Sequence, residues 1–203
     1  SASPDYLKEV LLSSVEKSFN RITIDGDTST NDTVLVMANG MSGANVISVA
    51  EKEYFRGLLD EVLMALAKMV VKDGEGATKL VDVIVKGAAS GIDAEKIAKT
   101  IANSSLVKTA LFGEDANWGR ILAAAGRSGA EFDPRLTDIY FDDVLMVKNG
   151  MGCGDASEME ATKVLKKPEF TITVDLKTGD GKASVLTCDF SIDYVKINAD
   201  YRS

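Results

Sequence analysis

The chain has 203 residues, of which 45% are hydrophobic, so it can bury a sizeable core in one large domain or two small ones. Its 23 Lys and Arg residues against 31 Asp and Glu residues give a net charge of -8, which argues against a nucleic-acid partner. The absence of histidine excludes Ser-His-Asp and Cys-His catalysis by this chain's own residues and removes the commonest zinc ligand.

The cysteine content and the apolar runs bear on the compartment. Cys153 and Cys188 show no spacing typical of a disulfide framework, which favours a reducing environment, and we predict both thiols to be buried. The sequence has no uninterrupted apolar run of about 18 residues, the length that would predict a membrane span. Its N-terminal residues also lack the basic-then-apolar order of a signal peptide. The sequence therefore predicts a cytoplasmic protein with no membrane partner.

The first predicted element is an amphipathic helix that begins after Ser3, a typical N-cap, with Pro4 at its first position. Apolar residues recur every three or four positions as far as Phe19, so one face should pack on a larger body. Two short strands, residues 21–24 and 33–37, are predicted next from their β-branched residues.

The polar run of residues 25–32 separates these two strands and is a candidate site. A calcium loop is disfavoured because Val36 stands where an EF-hand has its glutamate. A network of Asx and Ser/Thr turns and a loop that lines a substrate both remain open.

Helices and strands alternate in the middle of the chain. A helical period predicts a long helix over residues 51–71, and polar-apolar alternation predicts a strand over residues 79–86. Further helices are predicted over residues 93–103 and 121–126.

The last third of the chain predicts two hairpins with a helix between them. The first hairpin pairs residues 138–141 with 144–148, and the second pairs residues 170–176 with 182–188. The helix covers residues 158–167 and is stopped by Pro168.

These elements together predict an α+β fold of mixed α/β layers, with sheets packed against helices. We divide it into residues 1–128, part of a central layered domain, and residues 129–203, a smaller C-terminal α+β domain.

Glu75 lies between two glycines in the connection from the long helix to the next strand. Such flanks let the backbone approach a ligand, and the carboxylate could accept a substrate ammonium group, although a plain solvated loop fits the same pattern. The following residues lack P-loop spacing, so nucleotide binding here is not supported. Farther along, Arg120 could pair with a substrate carboxylate, or Trp118 could simply anchor the following helix.

Four phrases, in this order, resemble one family: residues 25–33 (DGDTSTNDT), 74–79 (GEGATK), 106–113 (LVKTALFG) and 117–120 (NWGR). The family is ornithine acetyltransferase, also called the bifunctional glutamate N-acetyltransferase of arginine biosynthesis. The likeness covers nearly the whole chain and corresponds to the β subunit, the C-terminal product of self-cleavage.

The resemblance implies an acetyltransferase made as one precursor and cut before a threonine. That threonine would be the nucleophile, passing acetyl from N-acetylornithine to glutamate, with its own α-amino group as a plausible base. An α chain would supply the oxyanion hole and complete a DmpA/ornithine acetyltransferase-like fold, in an α2β2 assembly that requires no cofactor and no metal. Acetyl-CoA is a possible second donor.

The resemblance also assigns site residues. The nucleophilic threonine is expected on a short segment outside these residues, so no catalytic residue is assigned here and Ser1 is not the nucleophile. Glu75, Asn198 and Ser203 are carried over as substrate-binding residues. Two other functions stay open: a non-catalytic assembly or binding module, and an N-terminal-nucleophile amidase or aminopeptidase on a similar fold.

Overall fold

The computed structural model describes residues 2–201, and the chain divides into two compact units. The first unit comprises the chain up to residue 22 together with residues 27–70, and the second comprises residues 23–26 together with the chain from residue 71 onward. Helices and one mixed sheet form the regular structure, which confirms the predicted α+β fold class.

Two helices dominate the first unit. Helix α1 spans Pro4–Lys17 and helix α2 spans Val49–Lys72, whose last two residues belong to the second unit. The Ser3 hydroxyl oxygen accepts a hydrogen bond from the Tyr6 N–H at 3.3 Å, as expected of an N-cap. Both predicted helices are confirmed, with ends that differ by a few residues.

Helix α1 lies alongside α2. The Tyr6 hydroxyl donates to the Lys52 carbonyl oxygen at 2.5 Å, and the Lys17 ammonium pairs with the Asp60 carboxylate at 2.6 Å. Helix α2 nevertheless buries only a narrow stripe of apolar residues, spaced four apart: Leu63, Ala67 and Val71. Most of its other large apolar side chains are exposed, although their helical period predicts a core-facing stripe.

The residues between the two helices contain no strand, so the predicted strands at residues 21–24 and 33–37 are wrong for this chain by itself. Residues 19–21 form a short 3₁₀ turn, and the Thr23 N–H makes one backbone hydrogen bond, to the Leu186 carbonyl oxygen at 2.9 Å. The reason is physical: β-branched residues fit a pleated surface, but a strand also needs a neighbour that accepts and donates along its backbone.

The second unit contains a six-stranded sheet with the strand order β4-β3-β2-β5-β1-β6. Strand β1 is parallel to β5, and the other neighbouring pairs are antiparallel. The side chains of Val81, Val83 and Val85 in β1 are all fully buried, as expected for a strand inside the sheet. The strands are β1 Leu80–Ala88, β2 Asp138–Phe141, β3 Val144–Lys148, β4 Met151–Gly152, β5 Glu169–Asp175 and β6 Gly181–Cys188.

The first predicted hairpin is confirmed as β2 and β3, but the second is wrong because β1 lies between β5 and β6. The loop after β5 crosses the end of β1 instead of turning back beside β5. The Thr178 and Gly179 N–H groups donate to the Gly87 carbonyl oxygen at 2.7 and 3.0 Å. A side chain at Gly179 or Gly181 would collide with the backbone of residues 88–90.

Five helices complete the second unit, and α3 packs against both β1 and β6. Two of the five, α4 and α7, were not predicted from the sequence. The strands of the sheet come from both sides of residue 128, so neither compact unit ends at the predicted division. The helices are α3 Gly91–Ala102, α4 Ser105–Phe112, α5 Trp118–Gly126, α6 Asp155–Leu165 and α7 Ile192–Asp200.

The described residues bear on three further expectations. Cys188 is buried but Cys153 is exposed, so the prediction of two buried thiols is wrong for Cys153, which follows the edge strand β4. Within residues 2–201, no three His, Cys, Asp or Glu side chains group closely enough to hold a metal ion. None of the helices in that range is both long and apolar enough to cross a membrane.

Candidate functional site

The structure brings Glu75 and Asn198 into contact, although 123 positions separate them in the chain. Glu75 lies in the loop between α2 and β1, and Asn198 lies on α7, so both side chains are exposed on the second unit. The Asn198 side-chain N–H₂ donates to the Glu75 Oε2 at 2.7 Å and to the Tyr194 carbonyl oxygen at 3.0 Å. The carboxamide is thus oriented from its own helix and in turn fixes the carboxylate.

Asp189 fixes the strand end of the Glu75 loop. Its carboxylate is almost fully buried and accepts hydrogen bonds from the N–H groups of Thr78 and Lys79, both at 2.8 Å. It also accepts from the Thr78 hydroxyl at 2.6 Å. A buried carboxylate is tolerated only with such donors, so these three bonds tie the loop to the chain that follows β6.

Ser191 and Gly76 join the same loop to the start of α7. Ser191 is the N-cap of α7: its hydroxyl oxygen accepts from the Tyr194 N–H at 3.2 Å, and its O–H donates to the Gly76 carbonyl oxygen at 2.6 Å. Gly76 has φ +66, and a Cβ there would lie 2.5 Å from the Tyr194 nitrogen. Glycine therefore permits the close approach that places α7 over the loop.

Contacts of the Tyr194 side chain fix the position of α7. The Tyr194 ring stacks on Phe190 with centroids 4.6 Å apart and planes 14° apart. The Tyr194 hydroxyl donates to the Asp25 carboxylate at 3.1 Å, so the first residue of the polar run at 25–32 belongs to this cluster. Farther along that run, the Asn31 N–H donates to the Ser29 hydroxyl oxygen at 3.1 Å, which is a local Ser turn.

Lys108 carries a fully buried ammonium group beneath this cluster. It donates to the Thr187 hydroxyl at 2.8 Å and to the Cys188 carbonyl oxygen, and it lies 4.6 Å from the centre of the Phe190 ring. Burial lowers the pKa of Lys108, while Cys188 and Asp189 oppose that shift. Burial likewise raises the pKa of the Cys188 thiol.

Sequence reasoning missed Lys108 and Asp189 because their importance lies in their burial. For Lys108 a signal was present: it lies in α4 beside Val107 and Leu111, on the helix face that the core covers. Asp189, directly after the apolar run of β6, carried no comparable signal.

Arg120 does not approach the Glu75 loop in any contact of the described residues. Its guanidinium donates to the Leu106 carbonyl oxygen at 2.8 Å and to the Thr109 hydroxyl at 3.4 Å, so it links α5 to α4. Trp118 is partly buried against the core of the second unit. These contacts agree with the anchoring interpretation of this motif.

Of the three site residues carried over by the resemblance, two therefore lie together, and Ser203 lies outside the described residues. The arrangement presents an exposed carboxylate whose position is set by a carboxamide, on a loop fixed by a buried aspartate. Chemically, such a surface can accept the hydrogen bonds of an ammonium group.

Comparisons with known proteins agree on one family. Residues 1–203 match the ArgJ family. The chain is 56% identical over 202 residues to the arginine biosynthesis bifunctional protein ArgJ of Geobacter sulfurreducens, a match that covers 98% of this chain and 51% of that protein. It is 50% identical to the glutamate N-acetyltransferase of Methanocaldococcus jannaschii, with 96% of this chain and 50% of that protein covered.

A solved structure gives the same result for the fold. The crystal structure of the arginine biosynthesis bifunctional protein ArgJ from Bacillus halodurans superposes with a TM-score of 0.93 at 42% identity. The match covers 99% of this chain and 95% of that chain. The chain thus spans about half the length of the curated relatives it matches, yet nearly the full length of one chain in a relative's crystal structure.

Proposed function

Since this chain belongs to the ArgJ family, we propose that it is the β chain of an acetyltransferase of arginine biosynthesis, which transfers acetyl from N-acetylornithine to glutamate. The transfer proceeds through an acetyl-threonine intermediate, on a threonine that heads the segment preceding these residues. That threonine attacks the acetyl carbonyl, ornithine leaves, and the amine of glutamate then takes the acetyl group. The cycle needs no cofactor.

The partner in this proposal is the α chain, the other half of the same precursor, in an α2β2 assembly. Two observations support it: the curated relatives are about twice as long as this chain, and a chain of nearly the same extent occurs in the crystal structure of a relative. The α chain supplies the oxyanion hole and closes the substrate site.

The contact between Glu75 and Asn198 is the single observation that carries the proposal at the level of the site. Both substrates are amino acids with an α-carbon centre, and N-acetylornithine also carries a free ammonium group. Glu75 binds the substrate's ammonium or amine nitrogen, and Asn198 holds the Glu75 carboxylate in place. Ser203 contributes a further polar contact from the C-terminal end. Glu75 and Asn198 are thus binding residues, and the bond-making is done elsewhere.

The kinetic test uses the assembled enzyme with Glu75→Gln and Asn198→Ala. Losing a charged hydrogen bond costs about 1.5–3 kcal/mol, so we expect kcat/KM for N-acetylornithine to fall by roughly 10- to 100-fold with Glu75→Gln. Asn198→Ala should give a smaller loss, because Glu75 keeps its charge but loses its orientation. Glu131→Gln, at another exposed glutamate, is the matched control and should leave the kinetics unchanged.

Two results would contradict this proposal. If Glu75→Gln has the kinetics of the unchanged enzyme, the assigned binding role is wrong. If the enzyme hydrolyses N-acetylornithine at the same rate with and without glutamate, it is an amidase and not a transferase. Replacing N-acetylornithine by acetyl-CoA in the same assay shows whether the enzyme also uses that second donor.

A further inference from the structure

Helix α7 carries Asn198, but the apolar core does not hold this helix in place. None of its nine residues, Ile192–Asp200, is buried. Helices in proteins owe most of their stability and position to a buried apolar face, and α7 has no such face within this chain. The place of Asn198 therefore depends on specific polar contacts of α7.

These polar contacts lie on one face of α7. The N-cap Ser191 and the residues Tyr194 and Asn198 stand at positions i, i+3 and i+7, which project in nearly the same direction from a helix. Each side chain binds a different residue of an earlier part of the chain. The pairs are Ser191 with Gly76, Tyr194 with Asp25, and Asn198 with Glu75. Tyr194 thus lies between the start of the helix and its site residue.

The Tyr194 side chain makes a flat contact with its ring and a directional contact with its hydroxyl. The ring stacks on Phe190, whose own ring centre lies 4.6 Å from the buried Lys108 ammonium. Stacked rings tolerate a lateral offset, so the stack alone leaves α7 able to slide. A hydrogen bond demands a short distance and alignment, so the 3.1 Å contact between the Tyr194 hydroxyl and the Asp25 carboxylate sets the lateral position.

Asp25 can serve as a fixed reference because its segment is attached to the second unit at other points. Residues 23–26 belong to that unit. The Thr23 N–H donates to the Leu186 carbonyl oxygen in β6 at 2.9 Å, and the Thr23 hydroxyl donates to the Asn103 side-chain oxygen. The Asp25 carboxylate is therefore placed from the sheet side, by bonds that do not involve α7.

We propose that Tyr194 is a positioning residue for acetyl transfer: its hydroxyl bond to Asp25 holds α7 where the Asn198 carboxamide meets the Glu75 carboxylate. The proposal rests on the proposed function and adds a residue that acts only through Asn198 and Glu75. Without this bond α7 stays helical and stacked, but Asn198 moves away from Glu75. Glu75 then binds the substrate nitrogen less well, whereas the threonine that takes the acetyl group is unaffected.

The first test is the steady-state kinetics of the assembled enzyme with Tyr194→Phe, which removes only the hydroxyl. We expect KM for N-acetylornithine to rise roughly 3- to 10-fold and kcat to stay within about twofold, because substrate binding is weakened and bond-making is not. A merely structural role would lower the yield or the heat stability of the enzyme and leave KM unchanged. An unchanged KM therefore overturns the proposal. Tyr140→Phe, at another half-buried tyrosine, on β2, is the matched control and should leave both constants unchanged.

The second test asks whether Tyr194 acts through Asn198. If it does, adding Tyr194→Phe to Asn198→Ala should raise KM by no more than about twofold, because the contact that Tyr194 positions is already gone. Effects that multiply in the double variant would mean that the two residues act independently, and they would overturn the proposal.

Variants of Asp25 test the same bond from its acceptor side. Asp25→Ala should match the KM increase of Tyr194→Phe. Asp25→Asn keeps an acceptor oxygen for the tyrosine hydroxyl, so its KM should stay within about twofold of that of the unchanged enzyme. An unchanged KM with Asp25→Ala, or equal losses with both variants, would overturn the proposal.

A crystal structure of the Tyr194→Phe complex provides a test that needs no turnover. The Asn198 side-chain nitrogen and the Glu75 Oε2 should lie beyond hydrogen-bond distance, more than about 3.5 Å apart. A contact retained at its present distance overturns the positioning role. The two proposals can thus fail separately: a displaced contact in an enzyme that transfers no acetyl group contradicts only the proposed activity. A retained contact in an active acetyltransferase contradicts only the role of Tyr194.

Discussion

Lys108 and Cys188 are adjacent in the interior. Burial lowers the pKa of the Lys108 ammonium and raises the pKa of the Cys188 thiol, so it favours the neutral form of each group. Their sulfur and nitrogen atoms are 3.6 Å apart. A buried ammonium is costly without acceptors, and the Thr187 hydroxyl and the Cys188 carbonyl oxygen supply them. Lys108 therefore works as an internal brace between α4 and the end of β6, directly below the residues that hold α7.

The two cysteines should differ sharply in reactivity. Cys153 is exposed, whereas Cys188 is buried with a raised pKa, and only the thiolate reacts. We expect a thiol-specific chromogenic reagent at pH 8 to label one thiol of the folded chain rapidly, and a second only after unfolding. Cys153→Ser should abolish the rapid phase. Rapid labelling that survives in Cys153→Ser would show that Cys188 is accessible and contradict the assignment.

At the scale of single residues, the sequence indicates a site residue when its neighbours in the chain are distinctive. Glu75 is recognisable because two glycines flank it, but the assignment of Glu75 and Asn198 as binding residues comes from a family resemblance and not from spacing, and their contact with each other is a finding of the structure. Lys108 and Asp189 were missed, because burial of a charged residue is decided by contacts between distant parts of the chain. No local pattern encodes those contacts.

At the scale of elements, the longest periodic segments were predicted well and the pairing of strands was not. The period of 3.6 in α2 and the alternation in β1 are local properties, so both elements were found. The assignment of β5 and β6 to one hairpin failed because their connection is five residues long. A connection of that length can either close a hairpin or cross over the end of β1. Which of the two occurs depends on β1, about 80 residues earlier.

The connection between α2 and β1 offers a test of how closely α7 is packed on it. Gly76→Ala adds a methyl group at φ +66, which strains the backbone, and also forces that methyl against the Tyr194 nitrogen. We expect the free energy of unfolding to fall by about 2–4 kcal/mol. Chemical denaturation followed by circular dichroism measures this change.

Gly129→Ala is the matched control for that substitution. Gly129 has a similar φ of +77 but no atom within 4 Å of the added methyl, so it reports the backbone strain alone. The cost at Gly76 should exceed the cost at Gly129 by more than 1 kcal/mol or so. Equal costs would mean that α7 moves away freely and does not press on the loop.

At the scale of the whole molecule, the fold class and the family were predictable from the sequence. The loop near residues 126–133 has the polar composition of a linker, yet it joins α5 to β2 within one unit. The compact units are discontinuous in sequence, since residues 23–26 belong with the later part of the chain. Contacts such as Asp25 with Tyr194 create that discontinuity, and they cannot be read from local composition.

The loss of folding stability at acid pH is also a property of the whole molecule, and Asp138 should contribute to it. Burial of this carboxyl opposes its ionisation, but Lys177 at 2.7 Å and the Asn149 N–H at 2.7 Å outweigh burial and hold the pKa of Asp138 below its ordinary value of 3.8. The folded state thus favours the ionised form. This stabilisation is present above the ordinary pKa and is lost as the pH falls through the lowered one.

Asp138→Asn tests this contribution. At pH 7 the variant should unfold with a free energy about 1–3 kcal/mol smaller than that of the unchanged chain, and the difference should shrink steadily as the pH is lowered below 4. Asp143→Asn, at an exposed position nearby, is the control and should show little difference at either pH. A difference for Asp138→Asn that stays constant from pH 7 to pH 2 would contradict an electrostatic origin.

The central place of β1 has a consequence for synthesis on the ribosome. Residues 80–88 are translated before both flanking strands, β5 and β6, which follow some 80 to 100 residues later. At roughly 5–20 residues per second, the three valines of β1 wait several seconds for their neighbours. During that interval the nascent chain carries an unpaired apolar segment that can aggregate. The yield of folded protein in a cell therefore depends on how fast elongation proceeds between β1 and β6.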